Sequence, residues 1–401
     1  TGQVEREYLD RDASFIHEAK DQLGFLRASS KAAYRITSPE NAVGMIQEAI
    51  RVATTVPMGP VSVEIPIDVQ AAHIAWPISL EPAAPLQLPA LQERDRARLA
   101  AAVKAAKRPM LWIGGGTLKA GKAVRQLADI GIPVVSSTHA RGVLADSHPR
   151  SLGAFHNTAE VETLLADADL VLVVGSRLRS NETKTYSIQF PANTLQIDAN
   201  PAAQQRNYAI SQFVCAEANE ALTALVQDLQ GCSLIDADYD AAITQAREAA
   251  ILQLTEQLGP YAELCFALRA AMPEDAILVR DITMSGSTWG SRLFPVQAPL
   301  QNIHSLAGAI GLGLAHAIGT AKANLDKKVV ALVGDGGLML GIGEMATMVQ
   351  EQSNLVLLVM NDGGYGVMRG IQKRYFEDRQ YYNQLHTPSY RDVGRAMGCQ
   401  A

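Results

Sequence analysis

The sequence of 401 residues predicts an α/β protein with three doubly wound parallel-sheet domains. Short apolar runs recur along the chain without polar interruption, which is typical of strands buried on both faces of a parallel sheet. Helical patterns separate these runs, and several runs end at a glycine or acidic turn. Apolar residues make up 48% of the chain and charged residues 19%, as is ordinary for a globular protein.

The first predicted domain covers residues 1–76 and consists of helices followed by one strand. The segment Pro39–Thr55 has an apolar face at helical spacing, formed by Ala42, Met45, Ile46, Ala49, Ile50 and Ala53. The strand Val61–Ile65 follows and ends at Pro66. A linker is predicted over residues 77–90 because prolines are concentrated there, at Pro77, Pro82, Pro85 and Pro89.

Two further α/β domains are predicted after this linker. The middle domain covers residues 91–229, with strands at Met110–Ile113, Val134–Ser136, Leu170–Val174 and Leu195–Ile197. Residues 230–251 are polar and predict a second linker with a helix. The last domain covers residues 252–401, with strands at Ile277–Val279, Val329–Val333 and Leu355–Val359.

Composition argues against several classes of partner. The net charge is −6 and the chain has no basic run, so we do not expect it to bind nucleic acid. No apolar stretch reaches the length of a membrane span and no signal-peptide pattern opens the sequence, so we expect a cytoplasmic protein that does not bind membranes. The cysteines form no metal-binding motif and predict buried free thiols: Cys215, Cys232, Cys265 and Cys399.

Two acidic, glycine-rich turns close the last two predicted strands. Gly334–Gly336 follows Val329–Val333, and Asn361–Gly364 follows Leu355–Met360. The carboxylates of Asp335 and Asp362 should therefore lie at the carboxyl ends of parallel strands, where open α/β sheets bind ligands. Oxygen ligands beside such turns suit a Mg²⁺ ion that holds a phosphate group. Each turn, taken alone, is equally well explained as a tight turn after a strand.

The two turns and their separation resemble the thiamine-diphosphate signature, which opens with Gly-Asp-Gly and closes with Asn-Asn. Here the closing pair is Asn361-Asp362, so an aspartate replaces the second asparagine. Other segments match in the same order, at Gly59–Asp68, Leu111–Gly116, Asp169–Arg177 and Gly308–Gly311. The chain resembles, over essentially its whole length, the thiamine-diphosphate-dependent decarboxylase and carboligase superfamily that includes acetolactate synthase and benzoylformate decarboxylase.

This resemblance implies the thiamine-diphosphate-binding fold for the predicted domains. Residues 1–76 would be the C-terminal part of a pyrimidine-binding domain, and residues 252–401 part of a diphosphate-binding domain. The family also uses a glutamate to exchange a proton with the cofactor's aminopyrimidine ring. No glutamate of this chain matches its motif, since Glu18 and Glu64 both fall after the expected place. We therefore expect the first domain to be partial. We expect the same of the last domain, because members of the family continue it with further strands.

The resemblance also implies which residues bind the metal and the cofactor. Asp335, Asp362 and the backbone carbonyl of Gly364 would bind Mg²⁺. Ile310 would press between the two cofactor rings and bend them, although a core position for Ile310 is the alternative. The implied cofactor-binding residues are Thr283, Met284, Gly308, Ile310, Gly336, Gly337, Tyr365, Gly366 and Val367.

The implied function is decarboxylation of a 2-oxo acid, carboligation of the resulting enamine as in acetolactate synthase, or both. The enzyme would be a lyase or transferase that depends on Mg²⁺ and thiamine diphosphate and acts as a homodimer or homotetramer. A non-catalytic or regulatory homologue that retains the cofactor-binding fold is the alternative.

Some further residues allow more than one interpretation. His304 precedes the segment Gly308–Gly311, which carries Ile310, and it is the histidine that we most expect to contact the substrate. Arg369, Lys373 and Arg374 follow the second acidic turn and either attract a substrate carboxylate or form a solvated face. The middle domain has a Gly-rich turn, Gly114–Gly116, that could bind the phosphates of an FAD or ADP group, with Asp198 binding the ribose. The turn lacks the alternating glycines of the dinucleotide fingerprint.

Overall fold

A computed structural model describes residues 1–75, 87–306 and 308–401, and it confirms an α/β fold with three parallel sheets. Contacts divide the chain into two compact units. The first contains Thr1–Ala90 with Ala199–Pro201, and the second contains Leu91–Asp198 with Ala202–Ala401. Most of the predicted linker over residues 77–90 lies outside the described residues, as do Pro77, Pro82 and Pro85.

The first unit holds a three-stranded sheet. Its strands are β1 (Gly2–Gln3), β2 (Ala32–Arg35) and β3 (Val61–Pro66), and its helices are α1 (Gln22–Ser29), α2 (Ala42–Thr54) and α3 (Ile67–Gln70). The order is β1-β3-β2, so the prediction of one strand was wrong. It found only the central strand, because β1 has two residues and β2 has no apolar run. On the predicted apolar face of α2 only Ala49 is buried.

The second unit begins with a five-stranded sheet of order β5-β4-β6-β7-β8. Its elements are α4 (Glu93–Ala105), β4 (Pro109–Ile113), α5 (Gly121–Asp129), β5 (Val134–Ser136), α6 (Ala159–Asp167), β6 (Leu170–Val174), β7 (Thr194–Asp198), β8 (Gln212–Cys215), α7 (Ala218–Asp228) and α8 (Ala237–Leu258). Helices α4, α5 and α7 share one core with Leu111 and Ile113 of β4. Helices α6 and α8 share another with Met110 and Trp112, so alternate residues of β4 face opposite layers.

The long helix α8 belongs to the packing of both sheets of this unit. Its first turn is capped by Asp236, whose side chain accepts the Tyr239 N–H at 2.8 Å. Tyr239, Ile243 and further apolar residues of α8 fill the core beneath the five-stranded sheet. Its later residues Ile251 and Leu254 pack against that core and also against the core of the following four-stranded sheet.

The four-stranded sheet has the order β10-β9-β11-β12. Its elements are α9 (Pro260–Ala271), β9 (Ile277–Arg280), α10 (Met284–Ser287), α11 (Trp289–Arg292), β10 (Asn302–His304), α12 (Gly313–Ala323), β11 (Val329–Gly334), α13 (Asp335–Leu340), α14 (Glu344–Gln350), β12 (Leu355–Met360), α15 (Gly366–Tyr375) and α16 (Tyr390–Ala396). Strand β11 is buried throughout, as predicted. Strand β12 is only partly buried, because it lies at the sheet edge.

The chain between the two acidic turns forms two helices, α13 and α14, since it turns between Gly341 and Gly343. The cysteines are free thiols, but only Cys265 is buried. None of the helices in the described ranges combines the length and apolarity that a membrane span requires.

Candidate functional site

The carboxyl ends of three adjacent strands carry acidic residues. Asp281 follows β9, Asp335 follows β11 and Asp362 lies just after β12. Because β9, β11 and β12 are neighbours in a parallel sheet, all three residues lie along one edge. The two acidic turns predicted from sequence are therefore adjacent, and a third acidic residue accompanies them.

Asp335 is fixed in a buried position at the start of α13. Its side chain is only 2% exposed, and its Oδ2 accepts the backbone N–H of Gly364 at 2.8 Å. The Tyr390 hydroxyl donates to the Asp335 backbone carbonyl at 3.2 Å. A bridge between Gly364 and Gln384 holds the second turn in place from the other side. The predicted metal residues Asp335 and Gly364 are thus in direct contact.

The Asp362 carboxylate completes this group of oxygens. Burial raises the pKa of Asp362, and repulsion from Asp335 adds to the increase, while the adjacent Arg369 opposes it. Arg369 donates to Asp362 Oδ2 at 2.7 Å, so it forms an ion pair instead of a solvated face. Two adjacent carboxylates are a favourable donor set for a divalent cation.

The glycines of the first acidic turn leave room for neighbouring side chains. A Cβ added at Gly336 would lie 2.7 Å from Cε1 of Tyr365, and one at Gly337 would lie 2.5 Å from Oδ2 of Asp281. Gly366 is similarly crowded by the Asp362 carboxylate. These predicted cofactor residues therefore form one tightly packed set of turns.

Asp281 is a positioning residue that the sequence analysis did not identify. Its Oδ2 accepts the N–H of Gly311 at 2.9 Å, and its Oδ1 accepts the N–H of Ile282 at 2.8 Å. It thereby anchors the segment that carries Ile310. The available signal was an acidic residue directly after a buried strand, as at Asp335.

The segment from Gly308 to Gly311 is exposed up to Ile310, and Gly311 is partly buried. Ile310 is 38% exposed, so the structure does not support the alternative that it is a core residue. The backbone φ of Gly308 is +75° and that of Gly311 is +87°, values that favour glycine. Gly311 packs against Leu340 of α13, which joins this segment to the first acidic turn.

The remaining predicted cofactor residues lie around the same edge. Thr283 lies against Gly334, since a Cβ added at Gly334 would be 3.1 Å from the Thr283 Oγ1. Met284 is nearly half exposed and lies beside Gly366. Val367 lies in the first turn of α15 and is partly buried.

His304 does not stand alone, because its ring packs against that of His139 with centroids 4.4 Å apart and the planes tilted by 33°. Burial, with the Arg280 guanidinium and His139 nearby, lowers the pKa of His304 to about 2. Burial and the adjacent Arg179 lower the pKa of His139 to about 4. Both imidazoles are therefore neutral near pH 7, and His304 cannot attract a carboxylate through its own charge.

Packing explains the glycine triplet of the middle domain. Gly116 approaches Gly175 so closely that an added Cβ would lie 2.8 Å from the Gly175 Cα, and a Cβ at Gly114 would clash with the Gly175 carbonyl. The turn after β4 and the turn after β6 thus require small residues for their own contact.

Neither glutamate considered from the sequence is a free acid–base group. Glu64 is buried and forms an ion pair with Arg35, and Gln22 donates to its Oε2 at 3.1 Å. Glu18 accepts backbone N–H groups of Ala13 and Phe15. Among the described residues, no three His, Cys, Asp or Glu side chains gather into a metal-binding cluster.

The chain belongs to the thiamine pyrophosphate enzyme family, and it is a thiamine-diphosphate-dependent enzyme. Residues 96–225 match the central domain of thiamine pyrophosphate enzymes, and residues 281–401 match their C-terminal TPP binding domain. These matches confirm the resemblance inferred from the acidic turns.

Individual relatives include a synthase and a decarboxylase. The chain is 30% identical to the acetolactate synthase isozyme 1 large subunit of Escherichia coli over 385 residues, which cover 94% of this chain and 67% of that protein. It is 28% identical to a probable 2-ketoarginine decarboxylase of Pseudomonas aeruginosa, over 96% of this chain and 69% of the relative. It is 27% identical to the acetolactate synthase large subunit of Corynebacterium glutamicum, over 100% of this chain and 67% of the relative.

Proposed function

We propose that the protein decarboxylates a 2-oxo acid, or joins the decarboxylated fragment to a second carbonyl compound, with Mg²⁺ and thiamine diphosphate. The observation that carries this proposal is the meeting of Asp335, Asp362 and Gly364 at the carboxyl ends of β11 and β12. The printed names of two relatives, acetolactate synthase and 2-ketoarginine decarboxylase, support the same reaction class.

In this proposal the acidic turns hold the metal and the diphosphate. The Asp335 and Asp362 carboxylates and the Gly364 carbonyl bind Mg²⁺, which relieves the repulsion between the carboxylates. Gly336 and Gly337 let the backbone approach phosphate oxygens. When bound, thiamine diphosphate supplies the electron sink for loss of CO₂.

Other residues position the reacting groups. Asp281 accepts the N–H of Gly311 and so anchors the segment that carries Ile310. Ile310 would keep the cofactor bent, and the Gly308 carbonyl would accept a hydrogen bond from its pyrimidine ring. Thr283, Met284, Tyr365, Gly366 and Val367 would line the cofactor. His304 and His139, being neutral, would exchange hydrogen bonds with substrate without adding charge.

Two finer expectations accompany this proposal. A homodimer or homotetramer is expected, and light scattering on the purified protein measures it. A bound FAD or ADP group in the middle domain has less support, since the contact with Gly175 accounts for the glycines there. The visible absorbance spectrum of the purified protein tests for a flavin.

The decisive experiment compares Asp335→Ala with Asp362→Asn by equilibrium dialysis of thiamine diphosphate with and without Mg²⁺. Removal of the buried ligand Asp335 should weaken Mg²⁺-dependent retention by more than about 100-fold. Asp362→Asn should retain the cofactor, because an amide oxygen also binds Mg²⁺.

Two outcomes would reject parts of the proposal. Tight cofactor binding by Asp335→Ala would exclude this residue as a metal ligand. Cofactor binding by the native protein without CO₂ release from any 2-oxo acid would favour the alternative of a non-catalytic homologue.

A further inference from the structure

The second acidic turn departs from the thiamine-diphosphate signature at one position. Asp362 stands where the signature has its second asparagine, so the turn carries a full negative charge in place of a neutral amide. The Asp335 carboxylate lies close enough to repel it, since it adds to the burial that raises the pKa of Asp362. A diphosphate is itself an anion, so this additional charge opposes the ligand that the turn would hold.

The side chain of Arg369 supplies the opposite charge. Its Nη2 donates to the Asp362 Oδ2 at 2.7 Å and to the backbone carbonyl of the same aspartate at 3.1 Å. The Arg369 backbone N–H donates to the Tyr365 carbonyl at 3.0 Å, so helix α15 fixes the position from which the side chain reaches back to the turn. A Cβ added at Gly364 would lie 3.1 Å from the Arg369 Nη1, which places the guanidinium beside both predicted ligands of this turn.

Each of the two carboxylates is held through one oxygen. The Gly364 N–H donates to the Asp335 Oδ2 at 2.8 Å, as Arg369 does to the Asp362 Oδ2. No N–H group in the described ranges donates to the Oδ1 atom of either aspartate. One oxygen of each residue is therefore left for a cation, as the single oxygen of an asparagine side chain would be.

The partners of the two carboxylates differ in charge. Asp335 is held by a neutral peptide group and keeps its charge, whereas Asp362 is held by a guanidinium that balances it. Asp335, Asp362 and Arg369 together carry one net negative charge, which equals that of an aspartate with an asparagine. An arginine suits this role because its planar guanidinium remains charged and holds a carboxylate oxygen in a fixed direction.

We propose that Arg369 is the charge partner that allows Asp362 to serve at the amide position of the signature. By holding Oδ2 it directs Oδ1 to the metal, and its charge cancels the repulsion that Asp362 would exert on the diphosphate. Arg369 is a positioning residue, because it acts through Asp362. This role rests on the proposed site for Mg²⁺ and thiamine diphosphate, and it adds to that site a residue from outside the two acidic turns.

A double-mutant cycle tests this role by equilibrium dialysis of thiamine diphosphate at saturating Mg²⁺. Arg369→Gln should weaken cofactor binding about 10-fold, because the charge of Asp362 is then unbalanced. Asp362→Asn should bind within about 3-fold of the native protein, because it restores the amide of the signature. The double variant Asp362→Asn/Arg369→Gln should also bind within about 3-fold of the native protein, so that the loss caused by Arg369→Gln is rescued.

Ionic strength separates a loss of charge from a loss of shape. The side chains of Arg369 and Asp362 are 29% and 45% exposed, so salt screens the pair. The difference between Arg369→Gln and the native protein should fall from about 10-fold at low salt to below about 3-fold at about 0.5 M KCl. Arg369→Lys keeps the charge, and it should bind the cofactor within about 3-fold of the native protein.

Lys373→Gln is the matched control, because it removes a positive charge from an exposed residue of the same helix that has no ion-pair partner among the described residues. It should bind the cofactor as the native protein does. The role of Arg369 is refuted if Arg369→Gln binds normally, or if Lys373→Gln loses as much affinity. It is also refuted if the loss persists in the double variant, in Arg369→Lys or at high salt, because shape and not charge would then be responsible.

The native protein distinguishes this role from the proposed function. Failure of the native protein to bind thiamine diphosphate with Mg²⁺ would refute the proposed function and the role of Arg369 together. Native binding without rescue in the double variant would refute only the role of Arg369.

Discussion

The Asp281 carboxylate occupies space that only a glycine at position 337 leaves free. The same carboxylate holds Gly311, so any displacement of Asp281 moves the segment that carries Ile310. A single methyl group at position 337 therefore tests whether Asp281 is a positioning residue.

We expect Gly337→Ala to reduce stability by about 1–3 kcal/mol through overpacking. It should also weaken thiamine diphosphate binding in equilibrium dialysis. Gly343→Ala is the matched control, because no atom lies within 4 Å of a Cβ added there. Comparable losses in both variants would show that the effect arises from helix α13 or α14 in general and not from Asp281.

Ile310→Ala should reduce turnover far more than it reduces cofactor affinity. The side chain is largely outside the core, so its truncation should leave the fold and the diphosphate anchor intact. Leu312, which follows this segment and is 39% exposed, provides the control Leu312→Ala. Steady-state CO₂ release and dialysis measure the two quantities, and near-normal turnover of Ile310→Ala would refute the bending role.

Residue types at strand ends could be predicted from sequence, but their partners could not. Asp335 and Asp362 were evident because each follows a long apolar run beside glycines. The ion pair of Arg369 with Asp362 depends on how α15 leaves the turn, which periodicity does not specify. The ring contact between His139 and His304 joins residues far apart in the chain and leaves no local pattern.

Among the elements, every central strand could be predicted from sequence, but only two of the six edge strands of the described sheets could, β5 and β12. Strands β3, β4, β6, β7, β9 and β11 lie inside their sheets, and each was predicted from its apolar run. Strands β1, β2, β8 and β10 were missed, and all of them lie at sheet edges, whereas the edge strands β5 and β12 were found because each has an apolar run. An edge strand needs no continuous apolar sequence, since one side faces away from the sheet, and its signal is correspondingly weak.

Helix α8 was expected to be part of a polar linker, yet one face of the helix is buried in the hydrophobic core. Ile243→Ala should reduce the free energy of unfolding by about 2–5 kcal/mol, because Ile243 is fully buried. Leu252→Ala, on the same helix but 59% exposed, should change it by less than about 0.5 kcal/mol. Urea denaturation followed by circular dichroism compares them, and similar midpoints for both variants would contradict the packing of α8.

The stability of the whole molecule should decrease in mild acid because of buried histidines, and His156 is one of them. Burial lowers the pKa of His156 to about 4, below its ordinary value of 6.5. The unfolded chain therefore takes up a proton first, so the stabilisation is complete above pH 6.5 and is lost as the pH falls toward 4. Between pH 6.5 and pH 5 this histidine alone should cost about 2 kcal/mol.

The variant His156→Phe, which keeps a ring beside Trp112, should show a smaller loss of stability over this range. The exposed histidine His73 gives the control His73→Gln, which should follow the native protein. Urea midpoints measured at several pH values provide the comparison. Identical pH dependence in the native protein and His156→Phe would exclude His156 as the cause.

The number of sheets could be predicted for the whole molecule, but the grouping of the sheets could not. Three α/β segments were evident from the alternation of apolar runs and helices. The structure gathers the five-stranded and four-stranded sheets into one unit, because Ile251 and Leu254 of α8 contact both cores. Shared packing of this kind depends on the direction of a helix in space, which its amino-acid pattern does not reveal.

Every pairing between the described strands is parallel, and this topology affects how quickly the chain can fold. Gly2 pairs with Ile65 and Pro109 with Leu170, so each sheet forms only after distant segments have found one another. The entropy of closing these loops is lost before the contacts compensate for it, which slows folding. Newly made chains should therefore spend longer with unpaired strands, and the yield of folded protein should rise with slower synthesis and a greater supply of chaperones.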